Sequence, residues 1–183
     1  VQAFLPIVVD IDEGYGDDKI ARTVTSRLEN VGASAIVLED QRRPKKCGHL
    51  PGKEIISRDE HIKRLTGVLN VRKDLYVIAR TDAEAANLLT SDIDPKDQEF
   101  CLGDRTAEGF YRVKNGIEQA ISRGLAYAPY ADLVWCETGV PDLKFAKKLK
   151  KSQWQYFEKA QPKKKGGKLK ISEVDEDNER KTR

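Results

Sequence analysis

Four short apolar runs recur along this chain, each followed by a stretch with helical spacing, and that alternation constrains the fold more than any other feature. Pro6-Ile7-Val8-Val9-Asp10 precedes residues 17–31, where Ile20, Val24 and Leu28 share a face. Ala35-Ile36-Val37-Leu38-Glu39-Asp40 precedes residues 57–70, with Ile62, Leu65 and Leu69. Leu75-Tyr76-Val77-Ile78-Ala79-Arg80 precedes a long connection and then residues 106–125, with Phe110, Val113, Ile117 and Ile121. Asp132-Leu133-Val134-Trp135-Cys136-Glu137 precedes residues 142–150. Continuous apolar strands alternating with amphipathic helices predict an α/β fold around a parallel sheet with covered faces. Gly32 and Gly124 stand where helix C-terminal glycines belong. The connection over residues 81–105 is acidic and polar, and reads as a mobile flap or an irregular surface excursion. Asp82 at its start either braces Arg80 or caps a helix.

All four runs end in ionisable residues: Asp10-Ile11-Asp12, Glu39-Asp40, Arg80-Thr81-Asp82 and Glu137-Thr138. In a parallel sheet the carboxyl ends lie on one side, so these groups are expected to converge on one rim, where α/β proteins place their sites. Charge at the edge of an apolar core is costly unless paired or coordinated. A hard divalent cation would organise Asp10, Asp12 and Glu39, and Arg80 has the planar fork that grips a carboxylate. Past the second run lies Lys45-Lys46-Cys47-Gly48-His49-Leu50. Neighbouring cations favour a thiolate, and Gly48 lets the backbone turn tightly or approach a ligand closely.

Other chemistries lack their residues. Asp12-Glu13-Gly14-Tyr15-Gly16 has no third glycine for a dinucleotide fingerprint. Cys47 and His49 have no second Cys/His pair for zinc, since the other histidine, His61, falls on a predicted helix. No G-x-S-x-G nucleophile elbow exists. With 183 residues the chain can bury one real core. A net charge of +3 demands no nucleic-acid partner, and three scattered cysteines fit a reducing compartment. No apolar run approaches the ~20 residues that cross a bilayer. The first six residues are too short for a signal peptide and lack its basic start, and a first residue other than Met fits a start inside a longer protein. From Lys144 onward the sequence changes to charge blocks, with disorder expected beyond about Pro162. Those lysines form a solvated extension or a basic patch. Trp154, Tyr156 and Phe157 are able to dock as a short helix.

On these blocks the chain resembles the isocitrate lyase family, within the phosphoenolpyruvate mutase/isocitrate lyase superfamily. The resemblance spans about residues 6–148. It rests on the signature hexapeptide Lys45 to Leu50, on Glu39-Asp40-Gln41, on Ile78-Ala79-Arg80-Thr81-Asp82-Ala83, on Glu108-Gly109-Phe110-Tyr111-Arg112 and on Trp135-Cys136-Glu137-Thr138. It implies a (β/α)8 TIM-type barrel, of which about four βα units are present: a partial barrel domain over residues 1–150 and a lysine-rich tail over residues 151–183. It implies magnesium-dependent cleavage of isocitrate to glyoxylate and succinate, the first step of the glyoxylate bypass. Asp10 then looks like the metal-site aspartate, and Asp12 and Glu39 like acidic partners that hold Mg2+ through water. Cys47 looks like the residue exchanging a proton with the succinate carbon. His49 and Arg80 look like substrate-carboxylate contacts, with Lys46 and Gly48 also lining the substrate, and Glu137 like a further catalytic acid. A homo-oligomer, commonly a tetramer, and a cytoplasmic location (glyoxysomal or peroxisomal in a eukaryote) follow from the same likeness, with no membrane or nucleic-acid partner expected. The family's Ser-Gly-Trp loop and Asn-x-Ser-Pro-Ser segment are absent, and a short deletion precedes the Leu75 strand. The chain therefore reads as a central fragment. The alternatives are cleavage of 2-methylisocitrate, or a non-catalytic remnant acting by association.

Overall fold

The structure is a computed structural model that describes residues 5–48, 50–140 and 142–160, with residues 153–160 described for their backbone only. The expected rhythm is present: β1 (Val8–Asp10), α1 (Asp18–Asn30), β2 (Ala35–Glu39), β3 (Lys53–Ile55), α2 (Arg58–Leu69), β4 (Tyr76–Thr81), β5 (Ala86–Leu89), α3 (Pro95–Gln98), β6 (Cys101–Arg105), β7 (Tyr111–Val113), α4 (Ile117–Tyr127), a 3-10 turn (Ala128–Tyr130), β8 (Leu133–Cys136) and α5 (Leu143–Ala160). Local chemistry fixes the helix starts. The Asp17 carboxylate accepts from the Lys19 and Ile20 amides to cap α1, and the Ser57 hydroxyl accepts from the Glu60 amide to cap α2. Replacing Asp17 by Ala is expected to cost about 1 kcal/mol in a urea melt; a loss near zero would show that the cap contributes nothing.

Strands β1, β2, β4 and β8 form one parallel sheet in that order. Each new strand joins the same edge, with no reversal of strand order, which is the path of a barrel wall rather than of a doubly wound sheet. Side chains alternate between faces. The rows Val9/Ile36/Val77 and Leu38/Ala79/Val134 point to one side. There Ile36, Leu38, Val77 and Ala79 join Ala21, Leu65, Val68 and Tyr127 from α1, α2 and α4 in the main core. The rows Val8/Ala35/Tyr76, Asp10/Val37/Ile78/Leu133 and Glu39/Arg80/Trp135 point to the other side. Among the described residues that face carries no helix: Tyr76 is 60% exposed, Leu133 57% and Trp135 44%. The expectation of two covered faces is therefore corrected. In a closed barrel this second face turns inward and packs against the opposite strands.

Within the connection expected to be a flap or surface excursion, β5 and β6 instead join β3 and β7 in a second sheet, ordered β3-β5-β7-β6. It has a small core of Ile55, Ala83, Ala86, Leu89 and Val113. The helix expected over residues 106–125 is also corrected. Phe110 and Val113 share spacing with Ile117, but Gly109 and Gly116 both take positive φ, and residues 111–113 pair in the sheet as β7. Only Ile117 onward is helical. Gly124 lies inside α4 and is buried there, so it is not a C-terminal glycine. Helix α5 runs on past the expected end at Lys150 to Ala160. The lysine-rich tail from residue 161 and the side chains of Trp154, Tyr156 and Phe157 lie outside the described residues. Among the described residues, no helix is long and apolar enough to cross a membrane.

Candidate active site

The carboxyl ends of the four parallel strands converge on Arg80. Its guanidinium sits in the Glu39/Arg80/Trp135 row, 5.5 Å over the Trp135 ring. Nε lies 3.0 Å from Asp82 Oδ2 and 3.3 Å from Glu39 Oε2. Nη1 lies 3.8 Å from Glu137 Oε2 and 3.9 Å from Asp10 Oδ2. One cation thus touches the ends of all four strands. Burial works against its charge, but Asp82, Glu39 and Glu137 more than offset this and raise its pKa. Asp82 does brace Arg80, as one reading of the sequence had it.

Glu39 ends β2 with its side chain fully buried. Among the described residues, both carboxyl oxygens lack a hydrogen-bond partner. Burial first, then the neighbouring Asp82, raise this carboxyl from its ordinary value to about 8, with Arg80 and Lys45 pulling the other way. Past β1 the chain turns sharply. The Asp12 amide donates to Asp10 Oδ1 at 2.8 Å, and Asp12 itself has φ +51°, a conformation that aspartate tolerates better than most residues. The turn aims Asp12 at Lys45, whose Nζ is 2.6 Å from Asp12 Oδ1 and 4.0 Å from Glu39 Oε1. A positive charge therefore already bridges two of the three expected metal ligands. Among the described residues, no three His, Cys, Asp or Glu side chains are grouped to enclose a metal ion. An all-carboxylate donor set with orphaned buried oxygens does fit a hard cation that keeps several waters.

The thiol loop is fastened from both sides. Gln41 Nε2 donates to the Lys46 carbonyl, and the Lys46 amide donates to Gln41 Oε1, both at 2.9 Å. Lys46 Nζ donates to the Gly52 carbonyl at 2.6 Å, so its charge ties down the loop's return. Cys47 is exposed, and His49 lies outside the described residues. Gly48 is buried against Glu137: a Cβ there would sit 2.1 Å from Glu137 Oε1. The glycine exists for this approach, and it joins the thiol turn to the Arg80 cluster. Gly48→Ala is expected to change stability by under about 1 kcal/mol, since the Glu137 carboxylate can swing away. The swing takes Glu137 from Arg80, so turnover in a complete barrel carrying this segment should fall while the urea midpoint holds. Equal loss of both would show the glycine is needed for packing only.

Sequence reasoning missed two groups behind the rim. Lys53 opens β3 fully buried, its Nζ 2.9 Å from Asp82 Oδ1. Arg123 on α4 is buried with Asp40 Oδ2 at 3.0 Å and Asp97 Oδ1 at 2.8 Å. The spacing Gln119, Arg123, Tyr127 puts polar residues on the buried face of α4, and that was the available signal; a lysine in a three-residue strand offers none.

The sequence model of the isocitrate lyase family matches residues 1–104 and 102–161. Isocitrate lyase of Salmonella typhimurium strain LT2 is 51% identical over 155 residues, covering 81% of this chain and 36% of that protein. The chain thus spans about a third of the length of the curated relatives it matches. Among solved structures, 2,3-dimethylmalate lyase, of the PEP mutase/isocitrate lyase superfamily, matches with a TM-score of 0.62 at 25% identity, over 80% of this chain and 40% of that one. Phosphonopyruvate hydrolase in complex with oxalate and Mg2+ matches with a TM-score of 0.57 at 25% identity, over 81% and 42%. With half the sequence shared along most of its length, and a parallel wall whose strand ends meet at one arginine, the chain belongs to the isocitrate lyase family.

Proposed function

We propose that this chain carries the cation- and thiol-bearing part of an isocitrate lyase site, for the cleavage of isocitrate to glyoxylate and succinate. The observation that carries this reading is Arg80, held within 4 Å of Asp10, Glu39 and Glu137 with the Cys47-Gly48 turn packed on Glu137. The family likeness supplies the substrate. Asp10, Asp12 and Glu39 would hold Mg2+, which supplies polarisation of the hydroxyl and carboxylate of the glyoxylate half when bound. Cleavage passes the hydroxyl proton to a rim carboxylate, Glu137, breaks the carbon–carbon bond and leaves the electron pair on the succinate carbon beside a carboxylate. Arg80 binds a carboxylate and offsets that charge. Cys47 gives its proton to the carbanion; the exposure of the thiol supports this role. Glu137 holds the turn against Arg80. His49 belongs to the same substrate contacts on the strength of the hexapeptide. A homo-oligomer in the cytoplasm, built on residues 1–150 with 151–183 as a tail, completes the reading.

The test is glyoxylate release from isocitrate and from 2-methylisocitrate, with and without Mg2+, together with the melting point of the chain under Mg2+ plus glyoxylate. The expected results are a raised melting point and weak turnover while the inward face of the wall is uncovered. No shift with Mg2+ and no rescue of turnover by a completed barrel would end the proposal.

The raised Glu39 carboxyl gives a pH prediction. Its folded pKa of about 8 exceeds the ordinary carboxyl value, so its stabilising protonation is complete at low pH and is lost as pH rises toward 8. A cation that binds Glu39 must displace that proton. Mg2+ affinity is therefore expected to rise between pH 6 and 8 with release of a proton, read by calorimetry in buffers of different ionisation enthalpy. Glu39→Gln should abolish both trends; proton-free binding in the wild type would place the cation elsewhere.

A further inference from the structure

Lys53 is a buried charged group just behind the rim that the proposed chemistry leaves unused. It comes from the second sheet, its side chain is fully buried, and its Nζ donates to Asp82 Oδ1 at 2.9 Å. Asp82 is already gripped by Arg80 on both oxygens: Nε donates to Oδ2 at 3.0 Å and Nη2 to Oδ1 at 3.1 Å. One arginine would suffice to neutralise and satisfy that carboxylate. A second buried cation costs desolvation and needs an electrostatic return. Counting charges gives the return. Asp82 cancels the charge of Arg80 and Lys53 restores it, which leaves one positive charge in this trio to face Asp10, Glu39 and Glu137, all within 4 Å of Arg80. Without Lys53 the carboxylates at the open Nη1 edge of Arg80, Asp10 and Glu137, would outweigh the arginine further.

We propose that Lys53 is a positioning residue that takes up the charge of Asp82, so that Arg80 remains an effective anion receptor at the strand-end rim. Asp82 sets the plane of the Arg80 fork, and Lys53 prevents that support from cancelling the charge it orients. The second sheet thereby acts on ligand affinity without touching the ligand. The inference rests on the reading that Arg80 binds a substrate carboxylate.

The probe is succinate, titrated calorimetrically into the 183-residue chain at pH 7 without added metal, with each variant's fold checked by thermal melting. Arg80→Gln should abolish binding; if wild type and Arg80→Gln behave alike, the reading of Arg80 fails and this inference with it. Lys53→Met should weaken succinate binding about tenfold, and Lys53→Arg, which keeps the charge, should not. Lys53→Gln carries the same expectation if the methionine variant does not fold. The deciding variant is Lys53→Met with Asp82→Asn, where the net charge returns to one and affinity should recover. If binding needs Arg80 yet folded Lys53→Met or Lys53→Gln binds as the wild type does, Lys53 is a packing residue. If the double variant binds no better than Lys53→Met, the charge argument is overturned while the Arg80 reading stands.

Discussion

Arg123→Met is expected to destabilise the chain by about 3–5 kcal/mol, the range for breaking a fully buried ion pair from one side. Arg123 Nη1 donates to Asp40 Oδ2, the Ile56 carbonyl and the Tyr127 hydroxyl oxygen, and Nη2 donates to Asp97 Oδ1. It joins α4 to the end of β2, to the residue after β3 and to α3. Burial alone would raise the Asp40 carboxyl, but Arg123, with the Asp82 amide and the Thr81 hydroxyl, holds it below the ordinary value. Removing Arg123 strands two buried carboxylates. Domains of this size are stable by only about 5–15 kcal/mol, so a urea midpoint shift of this size would be unmistakable. Adding Asp40→Asn and Asp97→Asn should recover part of the loss, because the penalty lies in the stranded charge. A loss under 1 kcal/mol would show the network to be incidental. The sign with pH follows from the depressed Asp40: its contribution is complete above the ordinary carboxyl range and is lost as pH falls through the folded value.

Cys47→Ser is expected to lower isocitrate cleavage by about 10²–10⁴-fold in a complete barrel that carries this segment, the span associated with loss of a positioned proton donor. Serine keeps the size of the side chain, and its hydroxyl is a far weaker acid than a thiol. The turn itself should not move, because Gln41, Lys46 and Gly48 hold it through backbone and packing contacts. Mg2+ affinity should therefore match the wild type. Normal cleavage by the serine variant would remove Cys47 from proton transfer; lost Mg2+ binding would mean that the thiol supports the carboxylate cluster instead.

The parallel wall was legible in the sequence because its strands are unbroken apolar runs and its helices have one apolar stripe each. The rim was legible for the same reason: Asp10, Glu39, Arg80 and Glu137 end those runs, and parallel strands put all ends together. The second sheet was not legible. Lys53-Glu54-Ile55 and Tyr111-Arg112-Val113 are three residues each, too short to show alternation, and Cys101-Leu102-Gly103-Asp104-Arg105 is mostly exposed. Their pairing is long-range, and Phe110 and Val113 happen to extend the spacing of α4. Lys53 shares this blindness, since nothing in a three-residue strand distinguishes a lysine that folding will bury, whereas Arg123 left only the trace of its spacing with Gln119 and Tyr127. Roles within the site came from the hexapeptide likeness, and geometry added the Gly48–Glu137 contact and the grip of Gln41.

The order of strands in the wall bears on how the molecule is made. Each strand of β1-β2-β4-β8 joins its predecessor at the same edge, so a segment leaving the ribosome finds its docking groove already built by earlier residues. Assembly can follow synthesis from the amino end, each parallel pairing closing a long, helix-bearing crossover rather than a tight turn. The growing edge is always the newest strand. Among the described residues β8 is paired on one flank, and its other flank is the template on which a further strand of the same kind would nucleate.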